Sequence, residues 1–228
     1  ICYHGVMDMF RIPKFAASAY RSQVSPQKDL ALEVVTLWAR GERSVGGVFP
    51  LVIFTNCDSV EIKVAGESFG HFYPDHENFG GVEYPPVVIQ NAPPVFKQWG
   101  CHWREGEFIG YLQGKAVVTK RFAKDPVPTM LRIEADDQEL VADGQDTTRV
   151  VFKMLDQEGN LLPYLNDFIK ISVQGPGRII GPEEVSLIGG CIATWIRTTG
   201  EIGPIRVQGA STRLVSEEIT ITTIEEEK

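Results

Sequence analysis

The chain has 228 residues, 43% of them hydrophobic and 23% charged, so it holds enough apolar side chains for two domains of about 100 residues and is not a disordered polypeptide. Its formal net charge of −8 argues against partners that are nucleic acids or anionic membrane surfaces, since both require a basic binding face. No apolar run reaches the ~18 residues that a membrane-spanning helix needs.

Residues 1–27 differ from the rest of the chain because they predict a helix. The helix is expected over residues 13–23, where Pro13 suits the first helical turn. One face of it is apolar at helical spacing and consists of Phe15, Ala16, Ala19 and Tyr20. We expect this face to dock on the first β domain; a frayed helix and a homodimer are the alternatives.

From residue 28 onward the patterns are those of β-strands. Residues 48–54 form a dense apolar run of strand length, and residues 60–64 alternate between apolar and charged side chains. Residues 107–112 and 115–118 flank Gln113-Gly114, which predicts a hairpin whose turn uses the positive φ that glycine tolerates.

Two prolines and a charge at residues 125–128 predict a short stiff linker, after which a second series of strands begins. Its members are residues 131–136, 150–155, 169–173, 191–197, 205–207 and 219–221. Many short strands separated by Gly and Pro turns predict an all-β chain of two immunoglobulin-like β-sandwich domains in tandem, preceded by the short helix. The expected domain bounds are 1–27, 28–125 and 126–228.

The motifs of catalysis and of cofactor binding are missing. There is no nucleophile elbow, no HExxH, no phosphate loop and no dinucleotide fingerprint, so we predict no catalytic residue and no cofactor. The grouping that comes nearest to a metal site is His71, Asp75, His76, Cys101 and His102. Its spacing matches no zinc pattern, and we predict no metal site. Buried free thiols are expected for the four cysteines, with one disulfide as the alternative.

Trp99, His102 and Trp103 are the candidate carbohydrate-contacting residues, because flat aromatic faces with polar neighbours suit a sugar. The competing interpretation is that the two tryptophans belong to a domain core, because burying so large a side chain removes a large apolar surface from water.

Three stretches together resemble one family of enzymes. They are Gly5 to Lys14 with Ser22-Gln23, Thr55 to Gly66, and Trp103 to Phe108 with Gln113 to Lys115. In this order they resemble the end of the catalytic barrel and the following domain of glycoside hydrolase family 2, the bacterial β-galactosidase group. The last ~100 residues resemble the terminal immunoglobulin-like domain of the same enzymes.

The resemblance implies that the catalytic glutamates lie in a barrel that precedes Gly5, so that no catalytic role carries over to this chain. It favours a non-catalytic accessory region that braces the barrel, its expected partner, and shapes the substrate cleft. A carbohydrate-binding module that uses the surface tryptophans is the alternative, and an independent enzyme is a third. A bacterial origin is implied, with a cytoplasmic and an exported location both open.

Overall fold

A computed structural model describes residues 4–39, 48–91 and 103–225. The chain divides into two compact units, Ile1–Asp125 and Pro126–Lys228. The elements of the first unit are α1 (Phe15–Arg21), β1 (Leu32–Val34), β2 (Leu51–Thr55), β3 (Ser59–Val64), β4 (Glu67–Phe72), β5 (Val87–Ile89), β6 (Gly106–Leu112) and β7 (Lys115–Phe122).

The second unit contains β8 (Met130–Ala135), β9 (Glu139–Val141), β10 (Thr147–Leu155), β11 (Phe168–Gln174), β12 (Gly177–Ile180), β13 (Glu184–Ser186), β14 (Cys191–Thr198), β15 (Pro204–Ser211) and β16 (Ile219–Ile224). Within the described ranges α1 is the one α-helix, so the prediction of an all-β chain with a short leading helix is confirmed. No helix among these residues is long and apolar enough to span a bilayer.

The first unit is a sandwich of two antiparallel sheets. The three-stranded sheet has the order β1-β2-β5 and the four-stranded sheet the order β4-β3-β6-β7. Alternate residues of β2, such as Leu51 and Ile53, are fully buried together with Val60 and Ile62 of β3. The period-2 pattern therefore places one face of each sheet in a shared core.

Aromatic rings fill one end of this core. The ring of Trp38 lies 5.9 Å from that of Trp103, 5.5 Å from Phe108 and 5.7 Å from Phe122, measured between centroids. Gly106 faces Trp38 so closely that a Cβ atom built on it would lie 2.6 Å from the indole. The absence of a side chain at Gly106 is thus what lets β6 approach this ring.

The second unit is also built from two sheets. The first has the order β12-β14-β10-β8, and the second has the order β13-β11-β15-β16-β9, in which β16 and β9 run parallel. The sheets meet closely where β15 crosses β10, because a Cβ atom on Gly209 would lie 2.5 Å from the ring of Phe152. This unit therefore has a core of its own.

Two local predictions meet different outcomes. The hairpin at Gln113-Gly114 is confirmed, with φ values of 50° and 74° at the two turn residues. The helix, however, begins at Phe15 with Lys14 as its N-cap, and Pro13 lies outside it, where it forms a β-bridge with Met7. The expectation for Pro13 was wrong because this bridge holds it in extended backbone.

Candidate functional site

Trp103, one of the three candidate sugar-contacting residues, lies in the core of the first unit. It is 8% exposed, its indole N–H donates to the carbonyl of Trp38 at 2.9 Å, and the indole of Trp38 donates to the carbonyl of Arg104 at 2.8 Å. These contacts favour core packing over sugar contact for Trp103. Trp99 and His102 lie outside the described residues.

Of the residues whose sequence pattern most resembled a metal site, those that the structure describes do not act together. The carboxylate of Asp75 accepts hydrogen bonds from the side-chain amide of Asn78 at 2.9 and 3.1 Å, while His71 lies on β4 beside Glu61. Within residues 4–39, 48–91 and 103–225, no group of three or more His, Cys, Asp or Glu side chains is placed to hold a metal ion.

Two of the four cysteines lie among the described residues. Cys57 and Cys191 are buried free thiols, as expected, and Cys2 and Cys101 lie outside the described residues. Burial raises the pKa of the Cys57 thiol, which keeps it protonated and inert. Neither thiol offers a reactive site.

The apolar face of α1 is largely exposed among the residues that the structure describes, with Ala19 half-buried. Phe15 is 37% exposed and Tyr20 is 71% exposed, Ala16 is exposed, and no residue of the helix is buried. The expectation that this face docks on the first sandwich is therefore wrong. Hydrogen bonds attach the chain to the sandwich through the residues that follow the helix instead.

The attachment runs through Ser22 and Gln23. Ser22 is 1% exposed, and the side-chain amide of Gln23 donates to the carbonyl of Tyr84 at 2.8 Å while its oxygen accepts from the Tyr84 backbone N–H at 3.1 Å. The buried amide of Asn56 donates to the carbonyls of Val24 and Asp29, both at 2.7 Å. These bonds fix the direction in which α1 leaves the sandwich and so present its apolar face.

A polar cluster occupies the sheet of β3, β4 and β6. Tyr111 donates to one oxygen of the buried Glu61 carboxylate at 2.8 Å and Ser68 donates to the other at 2.9 Å. Lys63 and His71 lie 3.8 and 3.9 Å from the same carboxylate. The hydrogen bond from Tyr111, and then that from Ser68, holds the pKa of Glu61 below its usual range.

An open groove of about 650 Å³ runs over the first unit. It lies between the segment that follows α1, the β2–β3 turn, the loop between β4 and β5, and the β6–β7 hairpin. No sequence motif predicts this groove, because its lining comes from four separate stretches of chain.

Comparison with known proteins identifies a family model and several relatives that this chain is similar to. Residues 131–220 match the family model "Glycoside hydrolase family 2 C-terminal domain 5". A β-galactosidase of Thermoanaerobacterium thermosulfurigenes is 48% identical over 194 residues, which are 83% of this chain and 27% of that enzyme. A β-galactosidase sequence of Rhizobium radiobacter is 40% identical over 133 residues, which are 58% of this chain and 96% of that sequence.

The fold also has a counterpart among solved structures. A β-glycosidase from Bacteroides vulgatus superimposes with a TM-score of 0.69 over 96% of this chain and 28% of its own, at 21% identity. The chain thus spans about a quarter of the length of the first of these relatives.

Proposed function

We propose that this chain, which belongs to glycoside hydrolase family 2 and contains its C-terminal domain 5, is a non-catalytic accessory region of a β-galactosidase-like enzyme. In this proposal it braces the catalytic domain. The observation that carries this proposal is the apolar face of α1, which stays exposed although the residues after the helix are held by buried hydrogen bonds. A face fixed in direction and left uncovered suits a partner that packs on it.

The physical cost of that exposure supports a partner. Apolar surface left in water costs about 25 cal/mol per Å². A helix of seven residues is too short to be stable by itself, so its order here depends on what it is attached to. The catalytic domain of the longer parent enzyme is the partner we propose for Phe15, Ala16 and Tyr20.

The carboxylates of the chain support a non-catalytic role. Glu107 pairs with Arg121 at 2.7 Å, Glu134 with Lys153 at 2.6 Å and Asp136 with Arg149 at 2.8 Å across neighbouring strands.

These are cross-strand ion pairs of sheet surfaces. In the groove, Asp58 accepts the backbone N–H of Gln113 at 2.6 Å, so its carboxylate holds the hairpin.

An assay of the purified chain tests the non-catalytic role. We expect 4-nitrophenyl β-D-galactoside to be hydrolysed at the uncatalysed rate in its presence, while the intact parent enzyme at equal concentration hydrolyses it rapidly. Turnover that co-purifies with the chain and is lost in Asp58→Asn or Glu83→Gln would contradict the proposal, because these variants remove the two carboxylates that line the groove.

A further inference from the structure

Residues with flat apolar side chains are prominent in the lining of the groove of the first unit. They are Pro26, Pro74, Tyr84 and Pro85. Rings and prolines present rigid, nearly planar faces, on which the C–H face of a pyranose packs without ordering flexible side chains. Leu112 and Val117 extend the apolar lining.

Residues with hydrogen-bond donors and acceptors also line the groove. Asp58 and Glu83 contribute acceptor oxygens, Lys115 contributes an ammonium group, and Gln113 contributes a side-chain amide that both donates and accepts. The hydroxyl group of Tyr84 is hydrogen-bonded to the carboxylate of Glu83, which links the aromatic side chain to these polar groups. A ligand with several hydroxyl groups, each a donor and an acceptor, can use such a mixed set.

The charges of the lining disfavour an anionic ligand. Asp58 and Glu83 repel an anion, and Lys115 offsets only one of these two charges around a groove of about 650 Å³. This volume falls within the range of about 300–1,000 Å³ that is usual for small-molecule sites. The groove therefore suits an uncharged polar molecule of the size of one or a few sugar rings.

The walls of the groove are already fixed. Asn56 accepts the backbone N–H of Ala31 at 2.9 Å in addition to its two donated bonds, and it is 1% exposed. Gln23 holds Tyr84 by two hydrogen bonds, and Asp58 holds the backbone of Gln113. A site held in this way loses little conformational entropy when a ligand binds.

We propose that this groove is a binding site for an uncharged saccharide, with the sugar ring on Tyr84 and the prolines and its hydroxyl groups bonded to Glu83, Gln113 and Lys115. It does not include Trp103, which lies in the core, and it goes beyond the bracing role because it gives the accessory region a ligand of its own.

Titration of the ¹⁵N-labelled 228-residue chain tests the site by NMR. Lactose, cellobiose and xylobiose are the uncharged probes, and galacturonate is the charged comparator. We expect at least one uncharged probe to shift the amide signals of residues 74–85 and 111–117 in a saturable manner with a dissociation constant of ~1 mM, and galacturonate to bind more weakly.

The variants Tyr84→Leu and Lys115→Met should each weaken this binding about tenfold, since each removes one contact that the ligand uses. Lys170→Met, at an exposed position of the second unit, is the matched control and should bind as the original chain does. The dispersion of the amide spectrum shows for each variant that it is folded.

Three results would overturn the proposal: no saturable shift with any of the uncharged probes, shifts centred away from the groove, or unchanged affinity in folded Tyr84→Leu and Lys115→Met. None of them bears on the assay of catalytic activity, so the two proposals can fail separately.

Discussion

Gly106 shows how a single residue sets the aromatic core of the first unit. A methyl group at this position would meet Trp38 at 2.6 Å, which is closer than carbon atoms approach in folded proteins. We predict that Gly106→Ala destabilises the first unit by about 1–3 kcal/mol, because the ring must shift within a packed core.

Urea unfolding followed by tryptophan fluorescence measures the effect. Gly81→Ala is the control, since no atom lies within 4 Å of the position that its Cβ would occupy. Equal stability of the two variants would mean that Trp38 is not held against β6.

Glu61 makes the stability of the first unit depend on pH. Its carboxylate has a lowered pKa in the folded state because Tyr111 and Ser68 donate to it. A lowered folded-state pKa contributes stability that is present above the unfolded-state pKa of about 4.3 and is lost as the pH falls through the folded-state value.

The variant Tyr111→Phe removes the larger cause of this shift. We predict that the free energy of unfolding falls less between pH 6 and pH 3 in Tyr111→Phe than in the original chain, as measured by urea unfolding at each pH. Tyr164→Phe, at a tyrosine that is 63% exposed in the second unit, is the control. A pH dependence unchanged by Tyr111→Phe would show that this hydrogen bond does not perturb Glu61.

Residue roles were predictable from the sequence where pattern and chemistry coincide. The turn at Gln113-Gly114 was predictable, because a polar residue followed by glycine between two strand-like runs is typical of a hairpin turn. The groove was not, because Pro26, Asp58, Tyr84 and Lys115 are distant in sequence and only the fold assembles them. For Trp103 the sequence left core and sugar contact both open, since size favours the first and aromatic character the second.

At the scale of elements, the position of α1 depends on hydrogen bonds between the segment that follows it and the first sandwich. Asn56 is the residue that links the segment after the helix to the β2–β3 turn, through two donated bonds and one accepted bond. We predict that Asn56→Ala destabilises the chain by about 1–3 kcal/mol, because buried backbone groups lose their partners.

Hydrogen exchange gives the more specific readout for Asn56→Ala. The amides of residues 15–31 should exchange faster than in the original chain, while those of β10 and β14 should be unchanged. Asn91→Ala, at an exposed asparagine, is the matched control. Unchanged protection at residues 15–31 would contradict the anchoring role of Asn56.

The strands differ in how well their sequence predicts them. β8 alternates between buried and exposed residues. β3 alternates between apolar and charged side chains although Glu61 in it is buried, so that a period of two is visible in both sequences. β1 and β5 have three residues each, which is too short for any periodic signal, and they are strands because β2 between them provides hydrogen-bonding partners.

At the scale of the whole molecule, each unit contains both sheets of its own sandwich. The fragment 126–228 holds β8 to β16 and has about the size at which such a domain folds alone. We predict that it remains folded, with amide signals that overlay those of the same residues in the complete chain.

A shorter fragment, 142–228, serves as the control because it lacks β8 and β9 and exposes the sheet positions that they cover. It should unfold or aggregate. If fragment 126–228 proves unfolded as well, the two units depend on each other and the boundary at residue 126 is not a domain boundary.

The most direct test of the bracing role compares one substitution in two contexts. Tyr20→Glu places a charge on the exposed face of α1, which in the isolated chain should change the stability by no more than about 0.5 kcal/mol.

In the intact parent enzyme the same charge would be buried against the catalytic domain and should lower the thermal midpoint by several degrees, because an unpaired buried charge is costly. Tyr73→Glu, at a loop tyrosine that is 69% exposed, is the control in both contexts. A larger loss of thermal stability for Tyr20→Glu in the intact enzyme than in the isolated chain is the result we predict, and an equally small loss in both would contradict the bracing role.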